Sequence, residues 1–342
     1  MAKFRVGIIG CGNIFPMHAV SIQQSGLAEV VAICDIKEDR VRRWADVYHC
    51  AAYTDYQEMI DKADLDVVHI CTPHYLHAPM VIYAANAGKH VMTEKPMSIS
   101  IEEAEQMIEA CEKNKVTFGV IFQNRYNPGS LLIKEALDKF ELGHILGGKC
   151  SVTWKRTDEY YSKSDWKGTW DMEGGGVLID QAIHTMDLIR WFMGQDIEYV
   201  EAQIGNRAHE IIQVEDSAEG VIKYKNGVFT GFYAINYYSY DAPVEIELHC
   251  EHAIAKMVGD KATITYNDGF SVTRDSDPNE SVDFGDGVKS YWGVSHVKQI
   301  KEFYQNVTDG VTPAIDGKEA FKTQKMIASI YKSGKENKRI YL

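Results

Sequence analysis

Paired cysteines, positive charge and apolar runs of membrane length are all scarce in this 342-residue chain. Its seven cysteines, Cys11, Cys34, Cys50, Cys71, Cys111, Cys150 and Cys250, form an odd set without a C-x-x-C pair, and several sit inside apolar runs as small core residues do. That usage speaks against a disulfide framework and fits a reducing compartment. Lys and Arg number 36 against 49 Asp and Glu, a formal net charge of −13. Nucleic acid and anionic membrane are therefore not expected as partners, since both need a basic footprint. No apolar stretch is long enough to span a bilayer, and Met1-Ala2-Lys3-Phe4 leads into a strand-like run broken by Gly7 and Gly10 rather than a signal-peptide core. The expected location is cytoplasmic.

The length implies two domains, and 45% hydrophobic residues fit a soluble globular chain. Phe4 to Ile9 reads as a strand, Gly10-Cys11-Gly12-Asn13-Ile14-Phe15-Pro16 as a glycine turn, and the stretch through His18 and Ile22 to Gly26 as a helix. In a dinucleotide site the first glycine makes the tight turn, the second admits the pyrophosphate, and the helix N-terminus stabilises its charge. Phe15 stands at the third glycine position, so the fingerprint is incomplete. Strand Val30 to Cys34 then ends at Asp35, where a carboxylate accepts hydrogen bonds from ribose hydroxyls and repels a 2′-phosphate. This favours NAD, while Lys37 and Arg40 soften the repulsion and leave NADP possible.

Strand and helix go on alternating, which builds a parallel, doubly wound sheet. Strand Asp66 to Cys71 delivers Thr72 and Pro73 to the edge where such sheets bind ligands, with His74 expected at the surface and His77 opening a helix that ends at Gly88. Strand His90 to Thr93 delivers Glu94-Lys95-Pro96; the proline restricts the turn that presents Lys95. Ser100 and Glu103 form a capping box, and strand Val116 to Phe122 runs out into Gln123-Asn124-Arg125 at the expected domain boundary. Residues 1–122 are thus read as an NAD(P)-binding Rossmann domain and 123–342 as an α+β domain for substrate binding and oligomerisation.

Near the middle, Gly174-Gly175-Gly176 precedes a helical pattern with Val177, Leu178, Ile183, Met186, Leu188, Ile189 and Trp191 on its apolar face. Three glycines in a row imply that a ligand, a cofactor or a second strand approaches the backbone. On one continuous helix Asp180 and His184 stack one turn apart, with Asp187 a further turn along, and that face can exchange protons. Between strand Gly148 to Trp154 and the glycines lies a loop rich in aromatics and charge, including Tyr160, Tyr161, Asp165, Trp166, Lys167, Trp170 and Asp171. Rings stack on sugar faces and charged groups bind hydroxyls, so Tyr160 and Trp166 are candidates for substrate contact.

After this loop the text changes to long strand-like runs, among them Ile197 to Gln203, Ala218 to Tyr224, Val228 to Tyr238 and Val244 to Cys250, with turns at Asn226-Gly227 and Asn267-Asp268-Gly269. They describe a large, mostly antiparallel open sheet, followed by helices over His296 to Thr308 and Lys318 to Ser333 and a closing strand at Arg339 to Leu342. Strand alternation sends His249 and Glu251 to one side and Cys250 and His252 to the other, so no metal site is expected there.

Gly10-Cys11-Gly12, Cys71-Thr72-Pro73-His74-Tyr75-Leu76-His77, Ala87-Gly88-Lys89-His90-Val91 with Glu94-Lys95-Pro96, and Gly174 to Asp187 together resemble the Gfo/Idh/MocA oxidoreductases, over essentially the full chain. The resemblance implies hydride transfer between NAD(P) and a secondary alcohol or ketone of a sugar, cyclitol, glycoside or nucleotide sugar. It also implies pairing of the open sheet faces into a homodimer or homotetramer. Candidate cofactor contacts are Gly10, Gly12, Asn13, Ile14, Asp35, Arg40, Thr72, Pro73, His77, Glu94, Lys95 and Gln123; candidate substrate contacts are Lys95, Arg125, Tyr160, Trp166, Asp180 and His184. By their chemistry His184 suits a general base, Lys95 the holding of an alkoxide, and Asp180 the orientation of both, roles the resemblance also implies. Lysine in the proton relay remains open. Two competing readings are a non-catalytic dinucleotide sensor, and metal-assisted hydrolysis by Asp180, His184 and Asp187, which leaves Lys95 and the glycine turn without a task.

Overall fold

The computed structural model describes residues 3–277, 279–285 and 293–342; Met1 and Ala2, the start of the leader reading, lie outside them. β1 (Phe4–Ile9), β2 (Ala28–Cys34), β3 (Ala51–Tyr53), β4 (Val67–Ile70), β5 (His90–Thr93) and β6 (Phe118–Val120) make a wholly parallel sheet in the order β3-β2-β1-β4-β5-β6. Helices α1 (Phe15–Ser25), α2 (Glu38–Tyr48), α3 (Tyr56–Lys62), α4 (His77–Asn86) and α5 (Ile101–Asn114) alternate with the strands. All four residues of β4 are buried, as in a strand covered on both faces. The order reverses direction at β1 and β4, and the loops leaving their C-terminal ends open the crevice that such sheets use for ligands. At the start of α5 the Ser100 hydroxyl accepts the Glu103 N–H at 3.1 Å, the N-cap read from the sequence.

The second sheet takes β7 (Ile145–Thr153), β8 (Ile197–Gly205), β9 (Ser217–Tyr224), β10 (Phe229–Ile235), β11 (Glu245–Cys250), β12 (Ala253–Val258), β13 (Lys261–Tyr266), β14 (Ser271–Arg274) and β15 (Ile340–Tyr341) in the order β14-β13-β12-β11-β7-β10-β9-β8-β15. Among the described residues of this sheet only the β7–β10 pair is parallel. Ala253, Ala255 and Met257 of β12 are buried while Ile254, Lys256 and Val258 are exposed, the alternation of a sheet covered on one face. α6 (Pro128–Asp138), α7 (Asp158–Ser162) and α8 (Ile183–Met193) precede most of these strands; α9 (Gly293–Asp309) and α10 (Gly317–Glu336) follow them.

The chain divides into two compact units, Met1–Gln123 with Pro278–Phe321, and Asn124–Asp277 with Lys322–Leu342. A single boundary near Gln123 does not describe this division. The reason is apolar burial: α9 places Ile300, Phe303 and Tyr304 in the same core cluster as Val6, Ile8, Phe15 and Ile22.

Candidate active site

In the first unit the glycine turn needs its glycine and leaves backbone open. Gly10 has φ +95°, and a Cβ there would meet the Cys71 carbonyl oxygen at 2.5 Å, so the residue that leaves β1 must be glycine. A Cβ on Gly12 would meet nothing within 4 Å; its backbone faces open space. No side chain caps α1, which leaves its N-terminal field for an anion. Phe15, at the third glycine position, is fully buried and packs on Trp44 with centroids 5.0 Å apart, filling the helix-to-helix contact that a glycine would leave open. Asn13 is exposed and Ile14 half-buried beside the turn.

Asp35 is buried, and its Oδ2 accepts the Cys11 N–H at 2.9 Å while Oδ1 accepts the Lys37 N–H at 2.9 Å. Arg40 reaches Oδ2 at 3.3 Å. The carboxylate therefore shapes the turn. Ile36, next in the chain and 86% exposed, presents an apolar surface suited to the face of a base. Sequence reading passes over it, although an apolar residue directly after a strand-end aspartate is a legible signal.

At the same edge of the sheet, Thr72 and Pro73 follow β4, Glu94 and Lys95 follow β5, and Gln123 follows β6. Lys95 is half-buried and Glu94 buried. Gln123 is buried with its Oε1 lacking a hydrogen-bond partner among the described residues, an acceptor suited to a ligand donor. His77 is turned inward: its ring nitrogens lie 2.7 Å from the Pro96 carbonyl oxygen and 2.9 Å from that of Thr72, bracing two turns. Burial pushes its pKa down against those two hydrogen bonds. His74, expected at the surface, is also buried, with its ring 5.9 Å from that of His77.

In the second unit the glycine run meets protein. A Cβ on Gly175 would sit 2.0 Å from the Tyr331 hydroxyl, and one on Gly176 would sit 1.9 Å from the Glu215 carbonyl oxygen. The Glu215 carboxylate accepts the N–H groups of Gly176 and Leu178 at 2.8 and 3.0 Å, and the Tyr331 hydroxyl accepts that of Ile179 at 3.2 Å. The expected continuous helix does not form here. Val177–Gln181 is a π-turn closed by the Ala182 N–H on the Val177 carbonyl at 2.8 Å, and α8 begins afresh at Ile183. Asp180 lies within the π-turn and His184, half-buried, lies in the first turn of α8.

Asp180 is the centre of a polar cluster. Its Oδ2 accepts hydrogen bonds from Lys167 Nζ at 2.5 Å, the Tyr160 hydroxyl at 2.8 Å and Gln181 Nε2 at 2.7 Å. Lys167 also donates to the Tyr160 oxygen at 2.7 Å and lies 3.7 Å from Glu173. Burial alone would lower the lysine's pKa, but Asp180, Tyr160 and Glu173 outweigh it and hold the ammonium charged. Burial, with the Asp180 charge adding to it, pushes Glu173 up to about 8. Trp166 lies under the same ammonium, 4.7 Å from its ring centre. The structure thus joins Tyr160, Trp166 and Asp180, and adds Lys167, which the sequence shows only as one of several charges in the loop.

Two residues singled out from the sequence pair with each other in the interior. Arg125 is buried and gives its Nε and Nη2 to Asp187 at 2.7 and 2.6 Å, so the guanidinium serves the interior rather than an incoming ligand through those groups. Asp187 also accepts from Arg190 and Thr323 and is fully built into the core. Although burial alone would raise it, the arginines and the hydroxyl hold its carboxyl below the usual range. An Asp180–His184–Asp187 proton face is not assembled, and the hydrolytic reading loses its third member.

A parallel sheet with a glycine turn, an acidic residue after β2 and a binding edge at the switch point defines a Rossmann-type dinucleotide-binding protein. Residues 4–122 match the oxidoreductase family with an NAD-binding Rossmann fold, and residues 131–256 match the GFO/IDH/MocA C-terminal domain. The chain belongs to the GFO/IDH/MocA oxidoreductase family. It is 31% identical over 250 residues, 70% of each chain, to the uncharacterized oxidoreductase YrbE of Bacillus subtilis (strain 168). It is 28% identical over 349 residues, 98% of this chain and 97% of the relative, to the myo-inositol 2-dehydrogenase of Thermotoga maritima. Among solved structures, the WlbA dehydrogenase of Bordetella pertussis in complex with NADH and UDP-GlcNAcA aligns with a TM-score of 0.87 at 26% identity, covering 99% of this chain and 98% of that one.

Proposed function

We propose that the protein is an NAD(H)-dependent dehydrogenase or reductase acting on a secondary alcohol or ketone of a sugar, cyclitol, glycoside or nucleotide sugar. The observation that carries the reading is the common edge of the parallel sheet: the open Gly12 backbone, Asp35 and Lys95 all follow C-terminal strand ends. Bound NAD(H) supplies the hydride acceptor or donor. Gly10, Gly12, Asn13 and Ile14 would hold its pyrophosphate side, Asp35 with Arg40 a ribose, and Thr72, Pro73, Glu94, Lys95 and Gln123 its remaining length. Lys95 holds the substrate oxygen as a cation, His184 takes the hydroxyl proton, and Asp180 orients them. Tyr160, Trp166 and Lys167 offer rings and a charge suited to a polyhydroxy substrate, and relatives named for inositol and a nucleotide-sugar complex support that class.

Residues 1–122 serve the cofactor in this reading, and 123–342 serve substrate and assembly, with α9 lent to the first unit. Exposed Val221, Phe229, Tyr233, Ile254 and Val258 on the open face of the large sheet support a homodimer or homotetramer formed there. Seven free thiols support a reducing, cytoplasmic setting.

The test is reduced-nicotinamide absorbance with NAD⁺ or NADP⁺ across sugars, cyclitols, glycosides and nucleotide sugars. Substrate-dependent reduction is expected, with NAD⁺ preferred. Lys95→Ala and His184→Ala should each lower kcat by about 100-fold or more, with NADH affinity kept within about threefold. Tight NADH binding without turnover of any compound would favour a sensor; binding of neither dinucleotide would sink the reading.

A further inference from the structure

Beneath the binding edge of the first unit a line of polar side chains, Tyr304, His69 and His18, to which the reading above gives no role, runs to Glu94. The Tyr304 hydroxyl on α9 is 2.8 Å from His69 Nε2 in β4. His69 Nδ1 is 2.8 Å from His18 Nδ1 on α1, and His18 Nε2 is 2.9 Å from Glu94 Oε1. Tyr304, His69 and His18 have no exposed surface, and the other oxygen of Glu94, Oε2, accepts the backbone N–H of Lys95 at 3.2 Å. Hydrocarbon of the same volume would fill this interior without the desolvation cost of three polar rings and a carboxylate.

The donor and acceptor roles follow from one end. An ionised carboxylate only accepts, so His18 Nε2 carries the proton toward Glu94. A neutral His18 then offers Nδ1 as an acceptor, which His69 Nδ1–H must fill. That leaves His69 Nε2 as an acceptor for the Tyr304 hydroxyl. Burial lowers the pKa of both histidines, which keeps them neutral. Burial alone would raise Glu94, but His18 and His296, the latter 3.6 Å away on α9, hold it well below the ordinary range. Cys71 and His77 also feel the Glu94 charge; burial pushes the Cys71 thiol up and the His77 imidazole down.

We propose that Tyr304, His69 and His18 form a one-way hydrogen-bond relay that holds the Glu94 carboxylate against the backbone of Lys95, making all four positioning residues for that lysine. The proposal rests on the reading of Lys95 as the residue that holds the substrate oxygen. Protonation of any member between Tyr304 and Glu94 reverses a donor and breaks the order, so the relay links the lysine's placement to the acid side of the pH profile.

Imidazole nitrogen NMR of the uniformly labelled, cofactor-free protein reads the relay without turnover. His18 is expected as the Nε2–H tautomer and His69 as the Nδ1–H tautomer, both titrating below the ordinary histidine range. The opposite tautomers, or titration at or above that range, overturn the proposal. Tyr304→Phe removes the first donor and little volume. It should speed hydrogen exchange of the Lys95 amide about tenfold and lower kcat about tenfold at unchanged KM. The acid limb of kcat should move to higher pH, because His69 Nε2 is then open to a proton. Glu94→Gln should reproduce the kcat loss and abolish that limb. If Tyr304→Phe lowers Tm but leaves both Lys95 amide exchange and the pH profile unmoved, the cluster is structural and the proposal fails. If the wild type turns over no polyol, the enzymatic reading fails, while tautomers and amide exchange still decide the relay.

Discussion

Lys167 shows how one side chain changes meaning with its neighbours. In the sequence it is a lysine between two aromatic residues of a loop, indistinguishable from a solvated charge. In the fold it stands between Asp180 and Glu173, and without it two carboxyl groups would share one pocket of low dielectric. Lys167→Met should therefore lower kcat/KM by about 10- to 100-fold and raise the proton affinity of Glu173 above its already elevated value. Steady-state kinetics with a pH profile check this, and an unchanged kcat/KM would remove Lys167 from the site. Arg125 is the reverse case: its place after a strand made it a candidate for substrate, yet its partner Asp187 lies 62 residues on, where no local pattern reveals it.

Among the elements, the two glycine turns are alike in sequence and opposite in cause. Gly12 keeps its backbone bare toward open space, as a ligand site requires; Gly175, at φ +151°, is bare because Tyr331 occupies the position of its missing Cβ. Gly175→Ala should destabilise the protein by about 3 kcal/mol, measured by urea unfolding, since backbone and packed ring must both yield. Gly12→Ala should leave stability within about 1 kcal/mol of wild type and weaken NADH binding about tenfold in a fluorescence titration. The π-turn is equally hidden from local reading. Helical periodicity from Val177 onward is legible, but the N–H groups of Gly176, Leu178 and Ile179 are held by Glu215 and Tyr331, and a sequence pattern does not announce acceptors 37 or more residues away.

For the whole molecule, buried titrating groups in the two units set opposing pH dependences. Burial pushes Glu215 from 4.5 up to about 7, its backbone and Tyr331 hydrogen bonds notwithstanding. Below pH 4.5 both folded and unfolded chains keep that proton; as pH rises toward 7 the unfolded chain gives it up first. Stability falls over this window by ~3 kcal/mol. His18 and His69 act the other way: their folded pKa values lie below 6.5, so the stability of keeping them neutral is present above pH 6.5 and lost as pH falls. Glu215→Gln keeps an acceptor for Tyr331 and the two backbone donors but cannot ionise. Its stability, from urea unfolding at several pH values, should lack the wild-type decline between about pH 5 and 7. A decline as steep as in wild type would assign the slope to Glu173 or other groups.

Local patterns suffice for much of this protein. The strand-glycine-helix opening, the alternation that makes a parallel sheet, the Glu94-Lys95-Pro96 turn, the capping box at Ser100 and the period-two strands of the second sheet are each spelled by residues a few positions apart, because backbone geometry repeats over that range. Tertiary structure alone decided which glycines face open space and which face a tyrosine, that Asp187 belongs to Arg125, that Lys167 belongs to Asp180, and that α9 returns to the first unit. Those outcomes depend on burial and charge pairing between residues distant in the chain, where the desolvation of one group is offset only by a partner that the whole fold brings to it.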